Sequence, residues 1–586
     1  MPADLRRIPG VDVKRRRSWR PRGRDTLPPL PSRPAASVVW GADRKVWSSR
    51  RRTRIITRKP RSIPWSQIAL GAGCCALGLY IFNAFWTATR VDVTVEGLPA
   101  RTNITSAALA ETTVILNVDP YKRLGRATLR LNGKDVSEKA LVLEPTRVVW
   151  KPGKLPEGSH RLELSVPRPI IGNSTFTLPF RVDDTPPRLD VPPLLPPGGL
   201  CDPVIVRGEV ERGAKLTLDG KPLSHKGSFT LHYPRPPTIP LQLVAVDSAG
   251  NRREAEVVAP ARYPGAQGVH VTAAAWGYEP LRRGILNLVD SRLISTVQLD
   301  LKDEAGILGY DSKLALPNEI GAVQPEYRLK ETVADLKQRG VRVIGRIVAF
   351  RDPELSDWAW ENGRRELVVQ TSDGKKLADY GGFTNISHPD VHRYNIDIAL
   401  EAADAGVDDI LWDYVRRPEG DPATMVIPGM QGTPSDEVVG FLGKAHTALR
   451  ERCVYHGAAV FGISADRPDA VGQDVPRIAR HVEYVAPMLY PSHWVPGEYR
   501  VTNPNKQPYD IIKAVVADFQ AKMAGSGAYL VPWLQDFTLG HPYGPPEVRA
   551  QIDAAAELGV EDWLLWNPTA TYTAAALDAS LIKLGS

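Results

Sequence analysis

The residues able to do chemistry gather at the ends of apolar runs in the C-terminal half of the chain. Asp413 closes Ile410-Leu411-Trp412 and is followed by Tyr414, Arg416 and Arg417. Asp300 and Lys302 end a run that begins at Thr296, with Asp303 and Glu304 next. Arg346 lies within Val341–Phe350, and Tyr490 and His493 follow the run from Tyr484. Trp533, Gln535 and Asp536 stand together, as do Trp566 and Asn567. Paired carboxylates with aromatic faces and with Arg, Lys, Gln and Asn donors suit glycosidic bond hydrolysis. One carboxyl serves as acid and the other as nucleophile or base, while rings hold the sugar. Asp413 is the first candidate for nucleophile or base, with Arg416 as the cation that keeps it ionised. Asp536 is the preferred acid and Asp300 the next, although Asp300 could equally pair with Lys302 or Arg346. Lys302, Arg346, Arg416, Tyr490, His493, Trp533, Gln535, Trp566 and Asn567 are the expected substrate contacts. Each strand-end Asp also has a plain structural use, capping the helix that follows.

Such residues need a frame that brings many strand ends together. After Tyr263 the sequence alternates strand and helix patterns, the mark of a parallel sheet wrapped by helices. Eight strand runs can be counted, starting near residues 268, 296, 341, 408, 458, 484, 528 and 562. Amphipathic runs at 327–339, 392–405, 438–450, 509–524 and 547–558 lie between them. Gly340, Gly406 and Gly559 stand where helix C-caps need them. The pattern predicts a (β/α)8 TIM barrel over 268–586, with its site at the C-terminal strand ends. An open doubly wound sheet is the rival, but no glycine-rich phosphate turn follows the first strand.

Upstream the texture differs. Residues 91–183 and 184–262 show short alternating runs between Asn-Gly and Asp-Gly turns, which predicts two all-β sandwich modules. Ser62–Thr89 carries no charge and is long enough to span a bilayer. Residues 1–61 hold 19 Lys and Arg against four Asp, a local charge of +15, leaving about −7 for the rest of the +8 total. This asymmetry predicts a disordered basic cytoplasmic arm and a single-pass anchor at 62–89 in the inner (cytoplasmic) membrane. The remainder is then periplasmic or extracellular. The arm could touch anionic lipid. The acidic body argues against a specific nucleic-acid partner. Cys201 and Cys453 fall in different predicted domains and are expected to remain unpaired. His388 and His392 lack a third ligand, and neither a metal nor a cofactor is expected.

Several stretches resemble a bacterial family, the putative glycosyl hydrolase domain. They are GILNLVDS from Gly284, DLKDEAG from Asp300, RIVAFRDP from Arg346, YNIDIALEAA from Tyr394, DILWDYVRRP from Asp409, PMLYPSHW from Pro487 and WLQDF from Trp533. The resemblance runs in order over about 268–575 and implies a glycosidase-type barrel with a carbohydrate substrate. The family pattern carries an Asp on strand 5 where Ala459 stands here, and Asp466 is the carboxylate that would take its place. Asp183-Asp-Thr-Pro-Pro, with the ending Asp247-Ser-Ala-Gly-Asn, resembles bacterial Ig-like domains and implies a spacer or binding module. The expected function is a membrane-anchored hydrolase of an envelope or exported polysaccharide. The alternative is a catalytically inactive glycan-binding barrel that organises the envelope; a metal-dependent deacetylase would need ligands the sequence does not offer.

Overall fold

The computed structural model describes residues 64–578 and 580, apart from 90, 120–125, 144–145, 169–171 and 379–380. The basic arm predicted for 1–61 lies outside the described residues. The chain divides into two compact units, Met1–Trp86 and Thr87–Ser586. The first contains most of helix α1 (Trp65–Thr89), which is long and apolar enough to cross a membrane and whose apolar side chains from Trp65 to Phe85 are exposed.

The second unit begins with two β-rich regions, each built as two sheets around one apolar core, and the first also holds the short helix Ser106–Glu111, where the sequence predicted strands alone. In the first, the strand Gly158–Pro167 alternates buried and exposed residues, so its inner face joins the core at Trp150, Leu162, Leu164 and Phe180. In the second, Val206, Leu216, Leu243 and Val257 fill the space between the sheets.

The barrel follows. Its strands are β1 (Gln267–Val271), β2 (Thr296–Lys302), β3 (Arg342–Val348), β4 (Asp409–Asp413), β5 (Tyr455–Phe461), β6 (Tyr484–Met488), β7 (Trp533–Gln535) and β8 (Trp563–Trp566). Each pairs in parallel with the next, and β8 pairs with β1, closing the cylinder. The helices outside it are α2 (Glu279–Asp290), α3 (Leu329–Gln338), α4 (Pro353–Glu361), α5 (Pro389–Ala405), α6 (Pro434–Arg450), α7 (Pro508–Met523) and α8 (Pro545–Glu557). Gly406 ends α5 at φ 99°, a conformation that costs a glycine little. Strand 7 is shorter than the sequence suggests. Pro532 has no N–H for the ladder, so Tyr529–Leu530 forms a separate piece against β6. The larger core lies between strands and helices. A second, inside the barrel, contains Ile344, Leu411, Ala459, Trp533 and Leu564. Tyr263 belongs to the same cluster; its hydroxyl donates to Asp409 at 2.8 Å, at the N-terminal end of β4.

One expectation is overturned here. Cys201 and Cys453 form a disulfide, with Cα atoms 5.7 Å apart across a sequence separation of 252 residues. The second β region and the barrel are packed together, so sequence distance was no guide to spatial distance. Arg235 donates to the Arg450 carbonyl at 3.0 Å, Arg450 donates to the Pro236 carbonyl at 3.1 Å, and Arg480 pairs with Glu256 at 2.9 Å across the same junction.

Candidate active site

Four barrel strands bring their polar ends to one buried guanidinium. Arg346, near the end of β3, is almost fully enclosed. Its Nε and Nη2 donate to Asp413 Oδ2 at 2.9 and 2.6 Å, and its Nη1 donates to Asp300 Oδ1 at 2.8 Å. Nη2 also donates to Glu304 Oε1. His270 Nε2, from β1, lies 2.8 Å from Asp300 Oδ1. Removing charges from water is costly, and this cluster offsets the cost by pairing and hydrogen bonding. Burial would push the Asp300 carboxyl up, but the Arg346 charge and His270 outweigh it and hold Asp300 at about 2.

Asp413 ends β4 as its run of buried apolar residues predicts. Its Oδ1 accepts from the Tyr414 N–H at 2.7 Å, and Tyr414 adopts φ 47°. A left-handed aromatic residue stores of order 1–3 kcal/mol, and such strain collects at functional sites. Arg346 is the cation on Asp413, where the sequence suggested Arg416. The Arg416 guanidinium instead lies over the rings of Phe461 at 4.5 Å and Tyr414 at 4.7 Å.

Glu304 is not among the site residues expected from the sequence. The loop is pinned back: Asp303 Oδ1 accepts from the Ala305 and Ile307 N–H groups, each at 2.9 Å. Gly306, at φ 86°, packs so tightly on Asp352 that a Cβ would meet its Oδ1 at 2.2 Å. Glu304 therefore turns back onto Arg346 while its side chain stays 39% exposed, against 3% for Asp413. Burial, with the Asp300 and Glu304 charges behind it, pushes Asp303 up to about 6.

Other expected contacts separate into two groups. Tyr490 stacks on Trp566 at 5.4 Å, with Phe537 edge-on to Trp566 at 5.0 Å and His493 beside Tyr490 at 5.2 Å. This forms an aromatic wall at the strand ends of β6 and β8. Burial, then the Asp413 charge, pushes the Tyr490 phenol well up, so it remains a proton donor.

The second group is structural. Lys302 is fully buried, because the register shifts between Asp300 and Lys302 and turns it away from the mouth. Lys302 Nζ donates to Asp352 at 2.7 Å and to Asn395 at 2.8 Å and is not placed to meet a ligand. Asp536 does not join Arg346. Its oxygens accept from the Thr573 N–H at 2.8 Å and hydroxyl at 2.6 Å, a loop staple that leaves it poorly placed as partner to Asp413. Burial raises its pKa. Asn567 donates to the Asp536 carbonyl and accepts from the Thr569 N–H at 2.8 Å. Gln535 is buried and accepts from the Ser492 N–H at 3.0 Å. Trp533 is buried, with its indole donating to Gln298 at 3.1 Å. Ala459 faces the barrel interior, and Asp466 is exposed beside Arg467, 3.5 Å away, so it does not replace a strand-5 carboxylate there.

His392 is held as a core residue: its Nε2 donates to the Ile386 carbonyl at 2.6 Å, and Lys444 Nζ lies 3.1 Å from its Nδ1. Among the described residues, His446, His456 and Glu483 have metal-like spacing, with ligand atoms within 4.8 Å of one another. They lie at the N-terminal end of β5 and β6, away from the mouth. Arg450 donates to Glu483 and sits 2.7 Å from His446 Nε2, so a guanidinium already fills the place a cation would take.

Fold and site together define a glycosyl hydrolase-like (β/α)8 barrel. The chain belongs to the family described as the putative glycosyl hydrolase domain, whose sequence profile matches residues 268–572, just over half of its length. No curated protein matches it. Among solved structures it is similar to a hypothetical protein of Ruminiclostridium thermocellum, at 27% identity over 32% of this chain and 96% of that one, with a TM-score of 0.30. It is also similar to the PgaB (BpsB) glycoside hydrolase domain of Bordetella bronchiseptica, at 17% identity over 52% and 94%, with a TM-score of 0.39. Similarity to a Group II chitinase catalytic domain of Ostrinia furnacalis is 12% over 53% and 91%, with a TM-score of 0.33.

Proposed function

We propose that the chain is a membrane-tethered glycoside hydrolase that cleaves an envelope or exported polysaccharide outside the cytoplasmic membrane. One observation carries the reading. Glu304 Oε1 and Asp413 Oδ2 both accept from the same nitrogen, Arg346 Nη2. Two bonds of at most about 3 Å sharing one donor leave the oxygens no more than about 6 Å apart. That suits the carboxyl separation of a retaining glycosidase, about 5–5.5 Å, better than the inverting range of about 6.5–9.5 Å. In this reading Asp413 attacks the anomeric carbon while Glu304, the more exposed carboxyl, gives its proton to the leaving oxygen. Glu304 then takes a proton from the water that releases the sugar. Asp300, itself bonded to His270, holds Arg346, and the Tyr490–Trp566 wall supports the ring.

The tether rests on α1 and on the excess of Arg and Lys before it. The Cys201–Cys453 disulfide supports the same orientation, since such bonds persist in oxidising compartments. The two β regions then act as a spacer between membrane and barrel. A second reading, an inactive glycan-binding barrel, draws on Ala459 inside the barrel and on the commitment of Asp413 and Asp300 to Arg346. Reducing-end release from a panel of bacterial polysaccharides by the detergent-solubilised chain separates the two. Release that Asp413→Asn abolishes supports the hydrolase; saturable binding with no release supports the inactive barrel.

A further inference from the structure

The buried end of the active-site cluster rests on His270, which bonds Asp300 rather than either reacting carboxyl. Strand β1 pairs in parallel with β2, with His270 opposite Gln298. Successive residues of a strand face opposite ways, so His270, Gln298 and Asp300 share the face turned into the barrel. His270 and Asp300 are both buried there. An ionised carboxylate can only accept, so His270 Nε2, 2.8 Å from Asp300 Oδ1, carries the hydrogen between them. The imidazole is itself held in place. The Tyr572 hydroxyl donates to the His270 carbonyl, and the Trp533 indole packs beside the ring at 5.9 Å. The Arg346 guanidinium lies over the same indole at 5.8 Å, so one ring backs both.

Asp300 needs that anchor. Its Oδ1 takes both the His270 and the Arg346 bonds, while its Oδ2 is buried without a hydrogen-bond partner. Arg346 alone would leave the carboxylate free to turn about its last torsion, which is broad for Asp. His270, coming from another strand, fixes it. Asp300 in turn holds the Nη1 arm of Arg346, while the Nη2 arm is shared by Asp413 and Glu304. With Nη1 held, the guanidinium plane is set and Nη2 stays between the two carboxyls. Released at Nη1, the guanidinium would pivot on Asp413, whose Oδ2 already takes bonds from Nε and Nη2, and draw away from Glu304. We infer that His270 is a positioning residue for hydrolysis, acting through Asp300 and Arg346 to keep Asp413 and Glu304 at their reacting separation. The inference rests on the hydrolase reading of the site. An error of about 1 Å in such a separation can cost about 100-fold in rate.

Turnover by the detergent-solubilised chain, on a polysaccharide that the wild type cleaves, tests this with His270→Leu and His270→Gln. Leucine removes the donor, whereas the glutamine amide returns an N–H to the same oxygen. His270→Leu should lower kcat about 10- to 100-fold. KM should stay near the wild-type value, because His270 is buried and does not meet the sugar. His270→Gln should recover most of the lost kcat. Urea unfolding at pH 7 gives a second readout. The deficit caused by Asp300→Asn should be smaller in the His270→Leu background than in wild type, since Arg346 and then His270 hold Asp300 ionised. An unchanged kcat in His270→Leu, an equal loss in both variants, a raised KM with kcat unchanged, or an undiminished Asp300→Asn deficit overturns the inference alone. A wild type that cleaves no polysaccharide overturns the hydrolase reading, and the inference with it.

Discussion

Replacing Asp300 with Asn tests whether the Arg346 cluster is as strongly coupled as its geometry indicates. The carboxylate is buried, and Arg346 and His270 hold it at about 2 against an ordinary 3.8. Its folded pKa is therefore below its unfolded one. The stabilisation is fully present above pH 3.8 and is lost as pH falls through about 2. At about 1.4 kcal/mol per pH unit, the gap corresponds to about 2 kcal/mol at pH 7 and about 1 kcal/mol at pH 3. Asparagine keeps the shape and one acceptor but not the charge. Asp300→Asn should thus cost about 2 kcal/mol at neutral pH, with the deficit near half that at pH 3. Urea unfolding at 25 °C, followed by tryptophan fluorescence at pH 7, 5 and 3, measures it. A deficit that is unchanged between pH 7 and 3, or that grows on acidification, would refute the coupling.

Three other outcomes follow from the same structure. Asp303 has the opposite sign: its folded pKa, about 6, exceeds the ordinary 3.8, so its contribution worsens as pH rises from 3.8 through 6. Asp303→Asn keeps the acceptor for Ala305 and Ile307, so urea unfolding should show a gain of up to about 3 kcal/mol at pH 8 and almost none below pH 4. Cys201→Ser should cost about 2–5 kcal/mol and match the effect of dithiothreitol on the wild type, which should also change mobility on a non-reducing gel. The spacing of Glu304 and Asp413 predicts that the first product seen by proton NMR keeps the anomeric configuration of the substrate; an inverted product would exclude the pair as assigned.

Much of the barrel was legible because its signals are local. Alternating strand and helix runs, and glycines such as Gly406 after a helix, depend on a few neighbouring residues. Asp413 was legible for the same reason, as a charge closing an apolar run. Glu304 was not, since its place depends on Asp303 bonding back to Ala305 and Ile307 and on Gly306 fitting against Asp352, in a segment that reads as an ordinary turn. His270 reads as a core residue until β1 is set beside β2 and its ring meets Asp300. Lys302 was misplaced by a register shift that no periodicity reports. Asp536 has a catalytic residue's sequence position but a structural partner, Thr573, 37 residues away. The disulfide joins two regions whose contact no sequence pattern announces.

In the proposed mechanism Asp413 and Glu304 form the reacting pair. The most direct measurement is the turnover rate of wild type, Asp413→Asn, Glu304→Gln and Asp536→Asn on a polysaccharide that the wild type cleaves. Turnover should fall about 10²–10⁴-fold in Glu304→Gln, at least as far in Asp413→Asn, and little in Asp536→Asn. Near-normal turnover by Glu304→Gln, with Asp536→Asn inactive but folded, would contradict it.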